Sequence, residues 1–297
     1  MRYPDWESLE LAAFPAEPGG PGLSGAGGPG GSGGSGGSGG GGGPGGGGGL
    51  GLGSLPVAFC ADLSPASVLG AYRRGIVPMP APDEHFRTVS EYRYEDLVAD
   101  GTIAVVGSGD PYQVAWWSPD PRPVIGTGGV HLGRNLRRVI RRHDVRTTAD
   151  AAFGRVAEEC RAGREPRWLT DPLLAALTAL HAEGWAHSIE VWLDGDLAGG
   201  AIGIGIGRVI SGDSLFGRRP GAAAIAVADM AARLAAADGL LIDAQQDSPF
   251  LRSLGAELVP RERYLALLAS SAARVALPGE PLAARRLLPP DRQAAGS

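Results

Sequence analysis

The sequence contains no lysine, so all 27 of its basic residues are arginine. Cysteine is scarce as well, because Cys60 and Cys160 are the only two and lie far apart without the spacing of a metal site. This excludes a disulfide framework and indicates a reducing compartment. The net charge of −5 excludes binding of nucleic acid through overall charge, so any RNA contact requires a local basic surface.

Long hydrophobic runs are also missing. No stretch approaches the roughly 18 apolar residues of a transmembrane helix. Residues 1–7 have neither the basic region nor the apolar region of a secretory signal. We therefore expect a cytoplasmic protein that does not act at a membrane.

Five segments are expected along the chain. Residues 1–18 form a short mixed N-terminal segment. Residues 19–53 are mostly Gly, Ser and Pro, a composition that cannot bury enough apolar surface to fold and predicts a disordered linker. The remainder is expected to comprise a small N-terminal domain at 54–120, a catalytic domain at 121–272 and a loose C-terminal tail at 273–297.

The folded part has the pattern of an α+β protein with a mixed sheet. Ser64 is expected to cap a helix that begins at Pro65. Two alternating runs around residues 194–196 predict a β-hairpin. Residues 222–237 predict an Ala-rich helix, which leads into an apolar strand at Leu240.

This strand stops at a carboxylate, Asp243, and an amide, Gln245, follows two residues later. In an extended chain that spacing places both side chains on one face, where a carboxylate could orient an amide or a substrate amine. Strand ends also carry polar side chains that only hydrogen-bond a neighbouring loop. On spacing alone both interpretations stay open.

The neighbouring Trp116 and Trp117 stand beside a proline-rich turn. Such a pair predicts either a stacking surface for a base or a wall between domains, and the wall is favoured. Neither interpretation requires a cofactor.

Residues 134–146 contain six arginines and a single acid. On a helix, five of these arginines fall at spacings of three, four and seven and form a basic stripe opposite an apolar face. A solvated face would explain the stripe, but the lack of interspersed Glu favours phosphate binding. The stripe consists of Arg134, Arg137, Arg138, Arg141 and Arg142.

Five motifs occur in an order and spacing that resemble the leucyl/phenylalanyl-tRNA protein transferases. They are residues 116–122 (WWSPDPR), 186–192 (AHSIEVW), 212–216 (GDSLF), 241–245 (LIDAQ) and 253–256 (SLGA). The helix at residues 62–76 resembles the N-terminal segment of that family. The resemblance covers residues 55–80 and 116–268, so the glycine-rich segment and residues 81–115 are expected to be insertions.

The resemblance implies a small N-terminal domain on a catalytic domain with the GNAT acyltransferase fold. Enzymes of the family take Leu or Phe from Leu-tRNA or Phe-tRNA and join it to an N-terminal Arg or Lys of a protein, which marks that protein for degradation as an N-degron. Neither a metal nor a cofactor is implied. Asp243 and Gln245 match the catalytic pair, Trp168 matches a residue that binds the aminoacyl-adenosine, and the arginine stripe would meet acceptor-stem phosphates.

Several positions depart from the family pattern. Met79 replaces a Trp that stacks on the terminal adenosine, and Leu177 replaces a Tyr. Asp213 replaces a Glu and is shorter by one methylene. We expect these positions to alter the aminoacyl-adenosine and substrate site, which the resemblance places at Trp168, Met79, Leu177, Ala201, Ile202, Asp213 and Ser214. Ala223 and Ala224 likewise replace a Ser-Lys pair.

Two other functions are compatible with the sequence. Residues 218–223 (RRPGAA) fit the Arg-x-x-Gly-x-Ala loop through which GNAT enzymes bind a pyrophosphate, which predicts a coenzyme-A-dependent N-acyltransferase. Alternatively, a pocket too altered to bind an aminoacyl group would make the chain a specialised or inactive tRNA-binding relative.

Overall fold

The computed structural model describes residues 55–128 and 130–289. The expected N-terminal segment at 1–18 and the glycine-rich linker at 19–53 lie outside these residues. Within them, no helix has the length and apolar character needed to cross a membrane.

The described part of the chain contains eight α-helices and thirteen strands. The helices are α1 (Pro65–Arg73), α2 (Glu84–Ala99), α3 (Arg134–Arg142), α4 (Phe153–Arg161), α5 (Asp171–Ala182), α6 (Ala222–Ala236), α7 (Pro249–Ser253) and α8 (Arg261–Ala269). The strands are β1 (Ala58–Phe59), β2 (Val77–Pro80), β3 (Ala104–Val105), β4 (Val114–Trp117), β5 (Arg122–Gly126), β6 (Val145–Ala149), β7 (Ala186–Leu193), β8 (Asp196–Ile206), β9 (Val209–Ser211), β10 (Ser214–Gly217), β11 (Leu241–Asp243), β12 (Glu257–Val259) and β13 (Leu282–Ala283).

The first four strands form a small sheet in the order β2-β4-β1-β3. Helix α1 packs beside it and begins as expected, because the Ser64 side chain accepts a hydrogen bond from the Ser67 backbone N–H and Pro65 follows the cap. Trp116 of β4 is fully buried and donates its indole N–H to the Cys60 carbonyl oxygen. The tryptophan pair is thus part of a packed wall, as the sequence favoured.

Helix α2 was not predicted from the sequence. It occupies about half of the stretch 81–115, and Tyr94 is its one buried residue. A helix that buries so little has no apolar period to reveal it. Asp83 caps its first turn by accepting the Phe86 backbone N–H, a local signal that was available.

The remaining nine strands form one mixed sheet in the order β12-β5-β11-β9-β8-β7-β6-β13, with β10 on β8. The β9–β11 pair is parallel and its other pairs are antiparallel. The expected hairpin is confirmed, with Asp194 and Gly195 at positive φ in the turn between β7 and β8. Together with α6 this confirms the predicted α+β class and mixed sheet.

One buried apolar cluster runs from the small sheet into the large one. It joins Trp116 and Tyr72 with residues of α4, α5 and β8, such as Val156, Leu180 and Ile202. The boundary expected near residue 120 falls between β4 of the small sheet and β5 of the large sheet. The two sheets therefore meet through a shared core.

The C-terminal segment is packed rather than loose over residues 273–289. Strand β13 pairs with β6, and Arg233 of α6, which is buried, donates to the carbonyl oxygens of Pro278 and Glu280. Arg286 reaches the buried Asp229. The expected tail is corrected here because these polar contacts are made with distant elements and leave no periodic signal in the segment itself.

Candidate active site

Asp243 lies at the end of β11, where the small sheet meets the large one. Its carboxylate is fully buried and accepts two hydrogen bonds from Arg122, from Nε at 2.9 Å and from Nη2 at 2.6 Å. The Tyr264 hydroxyl donates a third, at 2.9 Å. Arg122 is also completely buried, and its Nη1 donates to the Gly75 carbonyl oxygen after α1. The ion pair thus joins two neighbouring strands of the large sheet, and Arg122 also ties it to the segment between α1 and β2.

Gln245 lies two residues beyond Asp243, just past the end of β11. Its backbone N–H donates to Asp243 Oδ1 at 3.0 Å, and its side-chain Nε2 donates to Asp213 Oδ1 at 2.5 Å. The residue has a φ of 57°, a left-handed conformation that is uncommon for a side chain of this kind. Its amide oxygen, Oε1, accepts no hydrogen bond from the described residues. Gln245 is therefore held at its nitrogen atoms while its oxygen stays available.

Asp213 stands between β9 and β10, opposite Gln245. Within residues 55–128 and 130–289, its Oδ2 atom and the hydroxyl of Tyr72 on α1 are buried without an aligned hydrogen bond, although the hydroxyl faces the Asp213 carboxyl. Burial raises the pKa of the Asp213 carboxyl to about 7, an effect that the neighbouring Ser211, Tyr72 and Gln245 side chains oppose and the Asp243 charge reinforces. Burial also raises the pKa of Tyr72, and the Asp213 charge raises it further. The site therefore contains a carboxyl group that titrates near neutrality.

Apolar residues expected at the substrate site, here called the apolar wall, pack in the core cluster that the two sheets share. The Trp168 indole N–H donates to the Pro78 carbonyl oxygen at 2.9 Å, and this bond joins the residues just before α5 to β2. Met79 is half-buried and packs on the same apolar cluster as Trp168, with the buried Leu177 and Ile202. Four of the residues expected at the substrate site therefore share one cluster.

Ala201 is placed elsewhere and corrects that expectation. It packs in a second apolar cluster with residues of α6 such as Ala222 and Ile225, whereas Ile202 belongs to the cluster of Trp168. Successive residues of a strand point to opposite faces, so Ala201 and Ile202 of β8 cannot both face one substrate. Ser214 is buried, and its Oγ accepts a hydrogen bond from Arg164 Nη1 at 3.3 Å.

The arginine stripe forms on α3 as predicted, with Leu136 and Ile140 buried on the opposite face. Four of its arginines are exposed, while Arg137 is partly buried and donates its Nε to the Leu132 carbonyl oxygen at 2.7 Å. Arg285 extends the basic surface, because its Nη2 donates to the Arg141 carbonyl oxygen at the end of the helix.

The loop at residues 218–223 forms a turn in front of α6. The backbone N–H groups of Arg218 and Arg219 both donate to the Ala198 carbonyl oxygen. The Arg218 side chain pairs with Glu159. Two of the donors that a pyrophosphate would require are therefore already used, which disfavours the coenzyme A interpretation.

Three residues of the polar cluster were not predicted from the sequence. Arg122 belongs to the motif at residues 116–122, whereas no sequence pattern marks Tyr72 or Tyr264 as part of the site. The sequence offers one signal for the ion pair. An arginine begins one buried strand and an aspartate ends another, and a buried charge requires a partner of opposite sign. Among the described residues, no group of three or more His, Cys, Asp or Glu could hold a metal ion.

Comparison with known proteins gives a consistent result. The sequence model of the family described as leucyl/phenylalanyl-tRNA protein transferase matches residues 124–269. A leucyl/phenylalanyl-tRNA protein transferase of Aeromonas hydrophila is 36% identical over 231 residues, which cover 77% of this chain and 84% of that protein. The enzymes of the same name from Azoarcus and Chromohalobacter salexigens are 38% and 39% identical over 207 residues, or 69% of this chain and 76% and 70% of theirs.

Proposed function

Since the chain belongs to the leucyl/phenylalanyl-tRNA protein transferase family, we propose that the polar cluster at the end of β11 is its aminoacyl-transfer site. The protein is an aminoacyltransferase that moves an aminoacyl group from tRNA to the N-terminus of a protein, as part of the N-degron pathway of protein degradation. The observation that supports this location best is Gln245, which is held between Asp243 and Asp213 with its amide oxygen available.

The chemistry required of the site is aminolysis of an ester. The ester that links an amino acid to tRNA is already activated, so a neutral and correctly placed amine provides most of the catalysis. We assign the placement to Gln245, whose Oε1 accepts a hydrogen bond from the acceptor amine. Asp243 acts through Gln245, because it fixes the Gln245 backbone N–H and is itself fixed by Arg122.

The donor is proposed to be Leu-tRNA or Phe-tRNA. The wall formed by Trp168, Met79, Leu177 and Ile202 is apolar and would accept a Leu or Phe side chain. Met79 would take the place of the family's Trp beside the terminal adenosine. The exposed arginines of α3 would contact phosphates of the acceptor stem.

The acceptor is proposed to be a protein or peptide that begins with Arg or Lys. Asp213 is partly exposed at the site and has no cationic partner among the described residues, so a cationic N-terminal residue would meet a favourable charge there. The short Asp213 side chain in place of a Glu would favour the longer of the two cations, Arg.

The fold proposed for the large sheet is that of the GNAT acyltransferases, with residues 54–120 as a small N-terminal domain and 121–272 as the catalytic domain. Strand β8 pairs with β10 along its middle and with β9 at its end, β9 continues in parallel to β11, and α6 packs on the sheet, which supports this proposal. A cytoplasmic location follows from the substrate, because aminoacyl-tRNA is made in the cytoplasm.

A mass-spectrometric assay tests the function. The purified protein is incubated with an Arg-starting peptide and with Leu-tRNA, Phe-tRNA or acetyl-coenzyme A in separate reactions. We expect the peptide to gain one Leu or one Phe, and expect Gln245→Ala to reduce the rate strongly while tRNA affinity is retained. The matched variant Gln246→Ala, one residue further on, should keep most activity.

If the peptide gained only an acetyl group, the protein would be a coenzyme-A-dependent acyltransferase whose donor binds at the loop of residues 218–223. Binding of aminoacyl-tRNA without any gain in mass would identify an inactive tRNA-binding relative.

A further inference from the structure

Given the function proposed above, on which this step rests, we propose that Asp213 is the general base of the transfer. It takes the proton of the acceptor's α-ammonium group, while Asp243 and Gln245 position that group. Asp213 differs from Asp243 because one of its carboxylate oxygens accepts no hydrogen bond from the described residues.

Asp243 is fully occupied by its contacts. Both of its oxygens accept hydrogen bonds from Arg122, and they also accept those of the Tyr264 hydroxyl and the Gln245 backbone N–H. A proton on either oxygen would displace a donor of a buried ion pair, and breaking such a pair is strongly unfavourable. Asp243 therefore holds the site together and has no oxygen free for the acceptor amine.

Gln245 cannot receive the proton either, because an amide oxygen is a hydrogen-bond acceptor of very low basicity. Its contribution is geometric. The contact between Gln245 Nε2 and Asp213 Oδ1 brings the amide and the carboxyl side by side. An amine that donates to Gln245 Oε1 is thereby placed next to Asp213.

The Asp213 Oδ2 and Tyr72 hydroxyl oxygens are buried at this position without an aligned hydrogen bond among the described residues. Gln245 Oε1 beside them accepts no hydrogen bond from those residues. Buried polar groups without partners are rare and costly in folded proteins. An α-ammonium group has three N–H donors, so it can satisfy this set.

The titration of Asp213 agrees with this geometry. Its pKa of about 7 follows mainly from burial and keeps the carboxylate basic enough to accept a proton while it remains ionised in part at neutral pH. The groups that face it are Tyr72 of α1, Ser211 of β9, Asp243 of β11 and Gln245.

The proton and electron balance is complete without a further reactant. The α-ammonium group gives one proton to the Asp213 carboxylate, and the nitrogen lone pair attacks the carbonyl carbon of the aminoacyl ester. The tetrahedral intermediate collapses and its C–O bond to the ribose breaks. The leaving oxygen takes the second proton from the former amine, and Asp213 releases the first proton to solvent.

The test is the pH dependence of single-turnover transfer from Phe-tRNA to a saturating Arg-starting peptide. For the unmutated protein we expect the rate to rise about tenfold per pH unit and to level off above pH 7. Asp213→Asn should lower the rate at pH 7 by roughly 10²–10⁴-fold. The inflection of the pH–rate profile of this variant should move to the pKa of the acceptor amine, near 8. Asp213→Ala should regain at least about tenfold when formate is added as an external base.

Controls separate a chemical role from a structural one. Asp238→Asn changes an exposed aspartate in the same way and should leave the profile unchanged. Tyr72→Phe removes a hydroxyl that lowers the Asp213 pKa, so the inflection should move to higher pH. Affinity for Phe-tRNA, measured by filter binding, should be equal in all variants.

The inference is overturned if Asp213→Asn keeps the inflection near pH 7 and only raises the KM of the peptide, since Asp213 would then merely bind the acceptor's cationic side chain. The absence of any transfer by the unmutated protein would instead reject the proposed function itself. These two failures are therefore distinguishable.

Discussion

At Gln245 the backbone adopts a conformation that costs of order 1–3 kcal/mol for a residue other than glycine. The contacts with Asp243 and Asp213 hold it there. Such strain is usual where a side chain must be aimed in a particular direction. Here it turns the amide across the end of β11, toward Asp213, where the acceptor amine is proposed to bind.

The Asp213 carboxyl gives the protein a pH-dependent stability. Its pKa is about 7 in the folded state and 3.8 in the reference state, so the carboxyl binds its proton more readily when folded. The corresponding stability is present below pH 4 and is lost as the pH rises through 7. Asp213→Asn stays neutral, and we expect it to exceed the unmutated protein in stability by roughly 2–4 kcal/mol at pH 8, at about 1.4 kcal/mol per pKa unit.

Urea unfolding at pH 5 and pH 8 measures this difference. The gain from Asp213→Asn should be less than half as large at pH 5 as at pH 8, because between pH 3.8 and 7 it grows by about 1.4 kcal/mol per pH unit. An equal gain at both pH values would show that the carboxyl is not titrating in the folded protein. A variant that is more stable but less active would also agree with an active site whose catalytic groups lower the stability of the fold.

Residue-scale prediction from the sequence succeeded where the signal was local. Asp243 and Gln245 are neighbours in the sequence, so they lie together at the end of β11 although Gln245 has left the strand in a left-handed conformation. Arg122 and Tyr264 reach Asp243 from positions far away in the sequence, and no local pattern reports such contacts. Ala201 was misplaced because the register of β8 decides which face it occupies.

Among the elements, α3 carries the clearest interaction surface. Its apolar face packs on the core, and Arg138 and Arg142 stand exposed on the other face. Its helical period could be predicted because a one-sided apolar pattern is a strong signal. Helix α2 could not be predicted because it makes few apolar contacts. The packed segment with β13 could not be predicted because polar contacts with distant elements hold it in place.

The stripe on α3 is expected to bind tRNA phosphates. The double change Arg138→Ala and Arg142→Ala should weaken tRNA binding and reduce the slope of log K against log salt concentration by about 1.5, as expected for the loss of two phosphate contacts. Transfer at saturating tRNA should stay close to normal. Filter binding over a series of salt concentrations measures the slope.

Arg93→Ala, on the exposed face of α2, is the matched control and should leave the slope unchanged. If the α3 variant also kept its slope, the stripe would be a solvated face only.

For the whole molecule, the site depends on the junction of the two sheets. Arg122 joins the Gly75 carbonyl oxygen to Asp243, and Trp168 joins Pro78 to the apolar wall. The apolar core continues across the same junction. Neither sheet alone would contain the complete site, so the family's motifs at 116–122 and 241–245 act together.

The structure of the protein with a bound Arg-starting peptide and a non-hydrolysable phenylalanyl-adenosine tests this account most directly. We predict that the peptide's α-amine lies within about 3.2 Å of Gln245 Oε1 and Asp213 Oδ2. The phenylalanyl ring should lie against Trp168 and Met79. An α-amine bound away from Gln245, or an adenosine bound in front of α6 at residues 218–223, would contradict the assignment of the site.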